Sequence, residues 1–236
     1  MIAAVLFDGD DTLWRTEWLY DDAREDARKV VERAGLDGDR WEAIERRVDV
    51  ENVARLGHAA ERFPSSCVQA YEQLCHETGT PPSPVVSSEV REAARSVFAR
   101  RAPLIPGARE TLLALRREGV RLALVTKGDA AVQRRRIAQS GLGELFDLVE
   151  IVHEKTPALL RSVADRLGVR AREVLSVGNS VRSDVLPSLA AGMRTVWIDA
   201  HVWEFERSAE RLDDDRVIRA ERLPEILALV RRPAAA

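Results

Sequence analysis

Two patterns of hydrophobic and polar positions divide the chain. Short, almost continuous apolar runs of strand length recur along it, beginning with IAAVLF at residues 2–7. Such a run is typical of a strand that is buried on both faces of a parallel sheet. Further strands are predicted at residues 120–125, 147–152, 173–177 and 194–198 and near Val217–Ile218.

Helical patterns separate these strands from residue 104 onwards. The segments GARETLLALRREG and DAAVQRRRIAQSG both end in glycine, a usual stop signal at the C-terminus of a helix. Further helices are predicted in TPALLRSVADRLG, in SDVLPSLAAG and from Leu223 to Val230. Because strand and helix alternate, we predict βαβ units and an α/β fold with a doubly wound, parallel, Rossmann-like sheet.

Residues 17–103 interrupt this alternation. They show helical patterns almost throughout, for example in EWLYDDAREDARKVVERAG and SSCVQAYEQLCHETG, with a turn-rich joint at GTPPSPVVS. We therefore predict two domains. One is a Rossmann-like core formed by residues 1–16 and 104–236, and the other is an all-helical domain, residues 17–103, inserted after the first strand.

Composition and charge narrow the class of protein. The chain has 236 residues, of which 45% are hydrophobic and 32% charged, as in ordinary globular proteins. A formal net charge of −3 favours neither nucleic acid nor an anionic membrane as a partner. The two cysteines, Cys67 and Cys75, fall in one predicted helix, which favours neither a disulfide framework nor a zinc site. Trp14, Trp18 and Trp41 are expected to pack in the core or at a hinge.

The sequence carries no signal for a membrane. No apolar run approaches the roughly 18 residues that a membrane span needs, and the N-terminus lacks the basic and apolar regions of a signal peptide. We expect a cytoplasmic protein without nucleic-acid or membrane partners. It would act as a monomer or a homodimer, between which the sequence does not decide.

The stretch AVLFDGDDTLW places three aspartates, Asp8, Asp10 and Asp11, within four positions directly after the first strand. Their mutual repulsion costs stability, so a chemical role explains Asp8 and Asp10 better than a structural one, whereas Asp11 is expected to fix or cap the turn. In open α/β sheets, ligands bind beyond the carboxyl ends of the strands. The ends of the other predicted strands bring a hydroxyl, two lysines, an amide and a further acid to the same edge: Thr126, Lys127, Lys155, Asn179 and Asp184.

These residues form an ordered set of four motifs. A DxDxT motif is matched by Asp8, Asp10 and Thr12 in FDGDDTL, and a threonine that ends a strand is matched by Thr126 in LVTKGD. A lysine is matched by Lys155 in HEKTP, and an acidic loop is matched by GNSVRSD. The chain thereby resembles the haloacid dehalogenase-like (HAD) hydrolase superfamily, and the insert resembles the helical C1 cap of that family.

The resemblance implies phosphoryl transfer through an aspartyl-phosphate. Asp8 matches the nucleophile, which splits one difficult displacement into two easier steps. Asp10 would protonate the leaving alcohol and then deprotonate the attacking water, and we expect neighbouring carboxylates to raise its pKa. Thr126 would contact a phosphate oxygen, and Lys155 would neutralise Asp8 and the phosphate. Lys127 is also assigned to substrate binding, farther from the reacting atoms.

The resemblance also implies a Mg²⁺ site. We expect its ligands to be Asp8, the backbone carbonyl of Asp10, Asn179 and Asp184. Family members commonly carry an aspartate where this chain has Asn179. The amide oxygen can still bind a hard cation, but one negative charge is missing, so Asp184 would contribute more to the binding of the metal.

Arg55 and His58 are the substrate-binding candidates in the predicted cap. They lie with Arg62 in ENVARLGHAAERFPSS, where Gly57 and Pro64 break the helical regularity. This irregular stretch could face the active site and contact an anionic leaving group. It could equally form the surface of a joint between helices, and the sequence leaves both interpretations open.

Three functions are compatible with these motifs. The first is a Mg²⁺-dependent phosphatase acting on a small phosphomonoester. The second is a 2-haloacid dehalogenase, which shares the fold and the aspartate nucleophile but needs no metal and lacks an acid at the position of Asp10. The third is a catalytically silent protein that binds phosphate or metal on the same fold, for which Asn179 leaves room. The intact Asp8, Thr126 and Lys155, together with Asp10, favour the phosphatase.

Overall fold

The computed structural model describes residues 1–198, 203–206 and 212–230. The chain forms two compact units. One comprises Met1–Arg15 and the described residues of Ala102–Ala236, and the other comprises Thr16–Arg101. The strands lie in the first unit, and the second consists of helices and their connections.

A parallel sheet organises the first unit. Its strands, in chain order, are β1 (Ala4–Phe7), β2 (Arg121–Lys127), β3 (Leu148–Val152), β4 (Val174–Gly178), β5 (Arg194–Ile198) and β6 (Val217–Ala220). Neighbouring strands all pair in parallel, and the order across the sheet is β3-β2-β1-β4-β5-β6. The predicted α/β class with a doubly wound sheet is therefore confirmed.

Strand β1 lies in the centre of the sheet, between β2 and β4. All four of its residues are buried, which explains the continuous apolar run at this position. Phe7 pairs with Leu124 of β2 and with Val177 of β4. The carboxyl ends of these three strands therefore meet at one edge of the sheet, where ligands bind in folds of this kind.

Four helices form the second unit: α1 (Glu17–Arg33), α2 (Gly38–Leu56), α3 (Arg62–Thr78) and α4 (Pro84–Ala99). α1 packs on α4, and α2 packs on α3. Asp37 caps α2, because its side chain accepts hydrogen bonds from the backbone N–H groups of Asp39 and Arg40. Gly79 ends α3 in the left-handed region, at a φ of 68°.

Buried charges lie inside this helical unit. Arg24 of α1 donates to Glu45 of α2 over 2.6 Å, and Arg62 of α3 forms an ion pair with Asp49 of α2. These four side chains are at most 9% exposed. Burial raises the pKa of Glu45 to about 7, although Arg24 acts to lower it. Arg62 is therefore not a surface residue, because it is engaged inside its own unit.

Helices of the sheet unit are α5 (Ala108–Arg117), α6 (Ala130–Ser140), α7 (Pro157–Arg166), α8 (Leu186–Ala190) and α9 (Leu227–Val230). Two segments predicted as single helices begin differently. A π-helical turn at Val181–Val185 precedes α8, and a 3-10 turn at Leu223–Ile226 precedes α9. Pro187 has no N–H with which to continue the bonding of the preceding turn, and the regular helix begins beside it, at Leu186.

Packing of α7 against the sheet fixes the loop that precedes this helix. Leu160 and Val163 of α7 belong to one buried apolar cluster with Leu6 of β1 and Val125 of β2. Because Lys155 lies two residues before α7 begins, the same packing sets its position at the edge of the sheet.

The structure also bears on the expectations for the tryptophans, the cysteines and membrane spans. Trp14 and Trp41 are buried, as expected, whereas Trp18 is 43% exposed. Cys67 and Cys75 are buried free thiols in α3, and burial raises the pKa of the Cys67 thiol. Within the described ranges, no helix is both long enough and apolar enough to cross a bilayer.

Candidate active site

A lysine bridges two acids at the carboxyl edge of the sheet. Asp8 follows β1, Lys155 lies in the loop between β3 and α7, and Asp184 lies in the π-helical turn after β4. The Lys155 Nζ is 2.5 Å from Asp8 Oδ1 and 2.6 Å from Asp184 Oδ1. The three side chains are at most 10% exposed. Three distant parts of the sequence thus converge on one buried ion cluster.

Burial of these charged side chains is electrostatically unfavourable. Burial raises the pKa of Asp8 to about 7; Lys155 acts to lower it, and Asp184 and Asp10 add to the rise. Burial alone would lower the pKa of Lys155, but Asp184 and Asp8 outweigh that effect and hold it above its ordinary value. One cation therefore serves two buried acids, which leaves an excess of negative charge.

A glycine lets Asp184 approach β4. A Cβ on Gly178 would lie 2.2 Å from Asp184 Cγ, so a side chain at that position would displace the carboxylate. The backbone N–H of Ser180 donates to Asp184 Oδ2 over 2.9 Å. The other carboxylate oxygen is thereby left to Lys155, and the acid is held in one orientation.

The Thr126 hydroxyl lies beside the loop that follows β1. Its Oγ1 is buried and forms no hydrogen bond with any of the described residues. A Cβ on Gly9 would lie 3.1 Å from this oxygen and 2.6 Å from Trp14 Cζ2, so this position requires glycine. A buried hydroxyl without a partner is costly, and an oxyanion placed there would accept its hydrogen bond.

The loop after β1 is a tight turn. Asp11 adopts a φ of 56°, in the left-handed region that aspartate tolerates better than most residues. Its backbone N–H donates to the carbonyl of Trp14 over 2.7 Å, and the N–H of Leu13 donates to that of Gly9 over 2.8 Å. This geometry agrees with the expectation that Asp11 shapes the turn.

Asp10 has surroundings that the sequence did not reveal. Trp14 donates from its indole N–H to Oδ1, whereas Gln133 and Arg136 of α6 donate to Oδ2. The direct partners of its carboxylate are therefore three hydrogen-bond donors.

Lys127 is turned toward a different acid. It donates to Ser183 Oγ over 2.6 Å and forms an ion pair with Glu206. The hydroxyls of Ser180 and Ser183 donate to Glu206 Oε2, each over 2.6 Å. Burial acts to raise the pKa of Glu206, but Lys127 and the hydroxyls of Ser180 and Ser183 together outweigh it and lower the pKa to about 2. Lys127 is therefore tied to the protein at 14% exposure, rather than extending into solvent.

The donor set at this edge fits a hard divalent cation. In the described part of the chain, no group of three or more His, Cys, Asp or Glu side chains is arranged as a metal site. Asp8 and Asp184 nevertheless supply two carboxylates, and Thr12 Oγ1 lies 3.5 Å from the amide oxygen of the buried Asn179, which ties that residue to the loop after β1. Mg²⁺ is commonly held by one or two carboxylates together with substrate phosphate and water.

A comparison with known families identifies the family of the chain. The sequence profile of the haloacid dehalogenase-like hydrolases matches residues 2–192. The chain belongs to this family.

Several HAD-family relatives are phosphatases by name. A glyceraldehyde 3-phosphate phosphatase of Methanopyrus kandleri is 31% identical over 221 residues, which cover 91% of each chain. A ribulose-1,5-bisphosphate 5-phosphatase of Halopiger xanaduensis is 27% identical and covers 92% of this chain and 93% of its own. Among solved structures, a haloacid dehalogenase-like family hydrolase from Xanthomonas campestris has a TM-score of 0.80 at 28% identity, over 97% of this chain and 94% of that one.

The substrate-binding candidates of the helical unit lie near the end of α2. Arg55 is exposed and donates to Asn52 Oδ1 over 2.9 Å. His58 is half-buried in the turn that follows this helix. Their assignment to substrate binding in this HAD-family chain stays a prediction.

Three residues that were not predicted from the sequence bind side chains of the predicted site. Gln133 and Arg136 bind Asp10, and Glu206 binds Lys127. The three-residue spacing of Gln133 and Arg136 places both on one face of the helix that follows Thr126, but the sequence does not show that this face is the one turned toward Asp10. Glu206 offered no such signal, since it lies far along the chain from its partners.

Proposed function

We propose that the protein is a Mg²⁺-dependent phosphatase that hydrolyses a small phosphomonoester through an aspartyl-phosphate on Asp8. The observation that carries this proposal is the buried bridge from Lys155 to Asp8 and Asp184. The unpartnered hydroxyl of Thr126 beside Gly9 adds a donor for a phosphate oxygen. A nucleophile, a cation and a donor to the transferred group are what phosphoryl transfer needs.

Asp8 and Asp10 divide the chemistry between them. Lys155 holds Oδ1 of Asp8, so we assign the attack on phosphorus to Oδ2. The bond from phosphorus to the alcohol oxygen breaks, and Asp10 gives its proton to that oxygen. Asp10 then takes a proton from water, whose oxygen attacks phosphorus and releases the Asp8 carboxylate. Thr126 and Lys155 hold the phosphoryl oxygens through both steps.

Four oxygen donors would hold the metal: Asp8, Asp184, the amide of Asn179 and the backbone carbonyl of Asp10. When bound, Mg²⁺ neutralises charge on the transferring phosphoryl group and on the acids. The excess of negative charge around Lys155 supports this assignment, because two buried acids share that single lysine. The amide of Asn179 brings no charge of its own, so the two carboxylates would dominate the affinity.

The helical unit, residues 17–103, would serve as a cap that selects the substrate. The phosphatases similar to this chain are named for small phosphorylated compounds, so we propose a substrate of that size. Arg55 and His58 would contact its leaving group. Replacement of Arg55 by Met should then raise KM for an anionic substrate more than it lowers kcat.

Hydrolysis of p-nitrophenyl phosphate tests the core of the proposal. We expect turnover by the purified protein with Mg²⁺, its loss in EDTA, and its loss in Asp8→Asn. Asp165→Asn is the matched control, because Asp165 is an exposed acid toward the far end of α7. A screen of phosphorylated small molecules would follow to find the natural leaving group.

Two other outcomes would point to the alternative functions. Metal-independent release of chloride from 2-chloropropionate, without phosphatase activity, would indicate a dehalogenase. Binding of Mg²⁺ or phosphate without turnover of any ester would indicate a silent binding protein. Either result would overturn the phosphatase proposal.

A further inference from the structure

Three hydrogen-bond donors surround the carboxylate of Asp10, and they hold its two oxygens unequally. The indole N–H of Trp14 donates to Oδ1 over 2.6 Å. Gln133 donates to Oδ2 over 2.8 Å, and Arg136 donates to the same oxygen over 2.6 Å. The Asp10 side chain is 28% exposed, so a ligand can still reach it.

The two donors to Oδ2 come from one buried face of α6. Gln133 and Arg136 are 2% and 7% exposed. The Gln133 amide also donates to the backbone carbonyl of Lys127 over 3.1 Å, which fixes the orientation of the amide. Gly128 adopts a φ of 140°, and a Cβ there would lie 3.1 Å from the Gln133 nitrogen. Packing and backbone geometry therefore set these donors in place.

We propose that Arg136 and Gln133 are positioning residues that hold Asp10 by Oδ2, so that Oδ1 meets the leaving group. This inference rests on the proposed phosphatase function. A hydrogen bond between two ionised groups, such as a guanidinium and a carboxylate, is stronger than one from a neutral N–H donor. Oδ2 accepts one hydrogen bond from the charged Arg136 and one from a neutral amide, whereas Oδ1 accepts one hydrogen bond from the neutral indole of Trp14. Oδ1 is therefore the oxygen that can give up its hydrogen bond from Trp14 and meet the leaving group of the substrate.

Both proton transfers then take place at one atom, Oδ1 of Asp10. In the first step, the proton on Oδ1 passes to the bridging oxygen, and the bond from that oxygen to phosphorus breaks with its electron pair staying on the oxygen. The bond from phosphorus to Asp8 forms in the same step. In the second step, Oδ1 takes a proton from the attacking water while the water oxygen forms a bond to phosphorus, and the bond from phosphorus to Asp8 breaks with its electron pair staying on the Asp8 carboxylate. Oδ2 remains on Arg136 and Gln133 throughout.

The leaving-group dependence of kcat/KM tests this role, because kcat/KM reports the steps up to formation of the aspartyl-phosphate. p-Nitrophenolate leaves without much help from a proton, whereas unsubstituted phenolate needs one. Since a general acid contributes typically about 10²–10⁴-fold, we expect Arg136→Met to lower kcat/KM about 10²-fold for phenyl phosphate and less than about tenfold for p-nitrophenyl phosphate.

Three further variants separate positioning from a loss of structure. Arg136→Lys keeps the charge and should recover most of the loss. Gln133→Met keeps the ion pair and should show the same selective loss at a smaller size. Arg134→Met lies on the exposed face of the same helix and should leave both esters unaffected. Equal losses for the two esters in Arg136→Met and Gln133→Met would overturn the positioning role.

A double-mutant cycle with Asp10→Asn shows whether Arg136 acts through Asp10. In that background, Arg136→Met should change kcat/KM for phenyl phosphate by less than about twofold, because the two effects are not independent. An undiminished effect would overturn the inference and leave the phosphatase proposal standing. If the wild-type protein hydrolyses neither ester, or keeps its activity in Asp8→Asn, the proposed function fails and the inference falls with it.

Discussion

The two units of the chain both bury acids beside cations, but they balance the charges differently. In the helical unit, each buried acid has its own arginine, Arg24 for Glu45 and Arg62 for Asp49. These pairs join α1, α2 and α3. When both acids are ionised, their charges cancel those of the arginines, so the pairs need no further ion from outside the unit.

In the sheet unit, the buried cluster is unbalanced. Lys155 faces both Asp8 and Asp184, so one positive charge serves two negative ones. Burial of such an excess is unfavourable unless a further cation compensates for it. The comparison favours a structural role for the paired charges of the helical unit, and it supports the proposal that the unbalanced cluster binds an ion or a charged ligand.

Removal of the shared lysine should have the largest effect. In Lys155→Met, we expect kcat for p-nitrophenyl phosphate to fall by about 10³-fold or more, because the cation that stabilises the transferring phosphoryl group is lost. Lys29→Met, which replaces an exposed lysine of α1, is the control. A variant that keeps a tenth or more of the activity would show that the unbalanced cluster is not the catalytic centre.

The central part of this cluster could be predicted from the sequence. The buried run of β1, followed by Asp8, and the order of Thr126, Lys155 and Asp184 after later strands were enough, because parallel strands bring their carboxyl ends to one edge. Local pattern and strand direction together determine that convergence. No knowledge of side-chain orientation was needed for it.

The surroundings of Asp10 could not be predicted in the same way. Three successive arginines, Arg134, Arg135 and Arg136, follow Gln133 in the sequence, and only the phase of α6 decides which one is buried. A shift of one residue would turn another guanidinium toward the site, since each residue rotates the helix face by about 100°. A count of charged residues along the sequence does not distinguish these three arginines.

Loss of one arginine of the helical unit should destabilise the protein without a catalytic defect of its own. Arg24→Met leaves Glu45 buried without its partner, and breaking a buried pair in this way costs about 3–5 kcal/mol. Urea unfolding followed by circular dichroism measures the change, with the exposed Arg33→Met as the control. The double variant Arg24→Met/Glu45→Gln should recover part of the loss. A change within 0.5 kcal/mol, about the size seen at surface positions, would contradict a structural role for the pair.

Mg²⁺ should distinguish the two clusters directly. A ligand that binds only the folded state at about 100 times its Kd adds about 2.7 kcal/mol to the free energy of unfolding. We expect such a Mg²⁺-dependent gain in the wild-type protein and in Arg24→Met, and a much smaller gain in Asp8→Asn. Equal gains in all three proteins would place the cation elsewhere.

The pH dependence of stability should show the smallest effect, and it isolates Glu45. Burial raises the pKa of Glu45 from 4.5 to about 7, against the effect of Arg24. Between these two values the folded protein holds a proton that the unfolded chain releases. The contribution of Glu45 to stability is therefore greatest at low pH and is lost as the pH rises through about 7.

Glu45→Gln removes this proton equilibrium and keeps an acceptor for Arg24. Between pH 5 and pH 7, the wild-type protein should lose up to about 1.4 kcal/mol of stability for each pH unit relative to Glu45→Gln. Other titrating groups, including Asp8, are common to both proteins and cancel in the difference. Glu51→Gln, at an exposed position of the same helix, should follow the wild type. If Glu45→Gln also ran parallel to the wild type, Glu45 would be ionised throughout this range, and the buried pair would be a full ion pair already at pH 5.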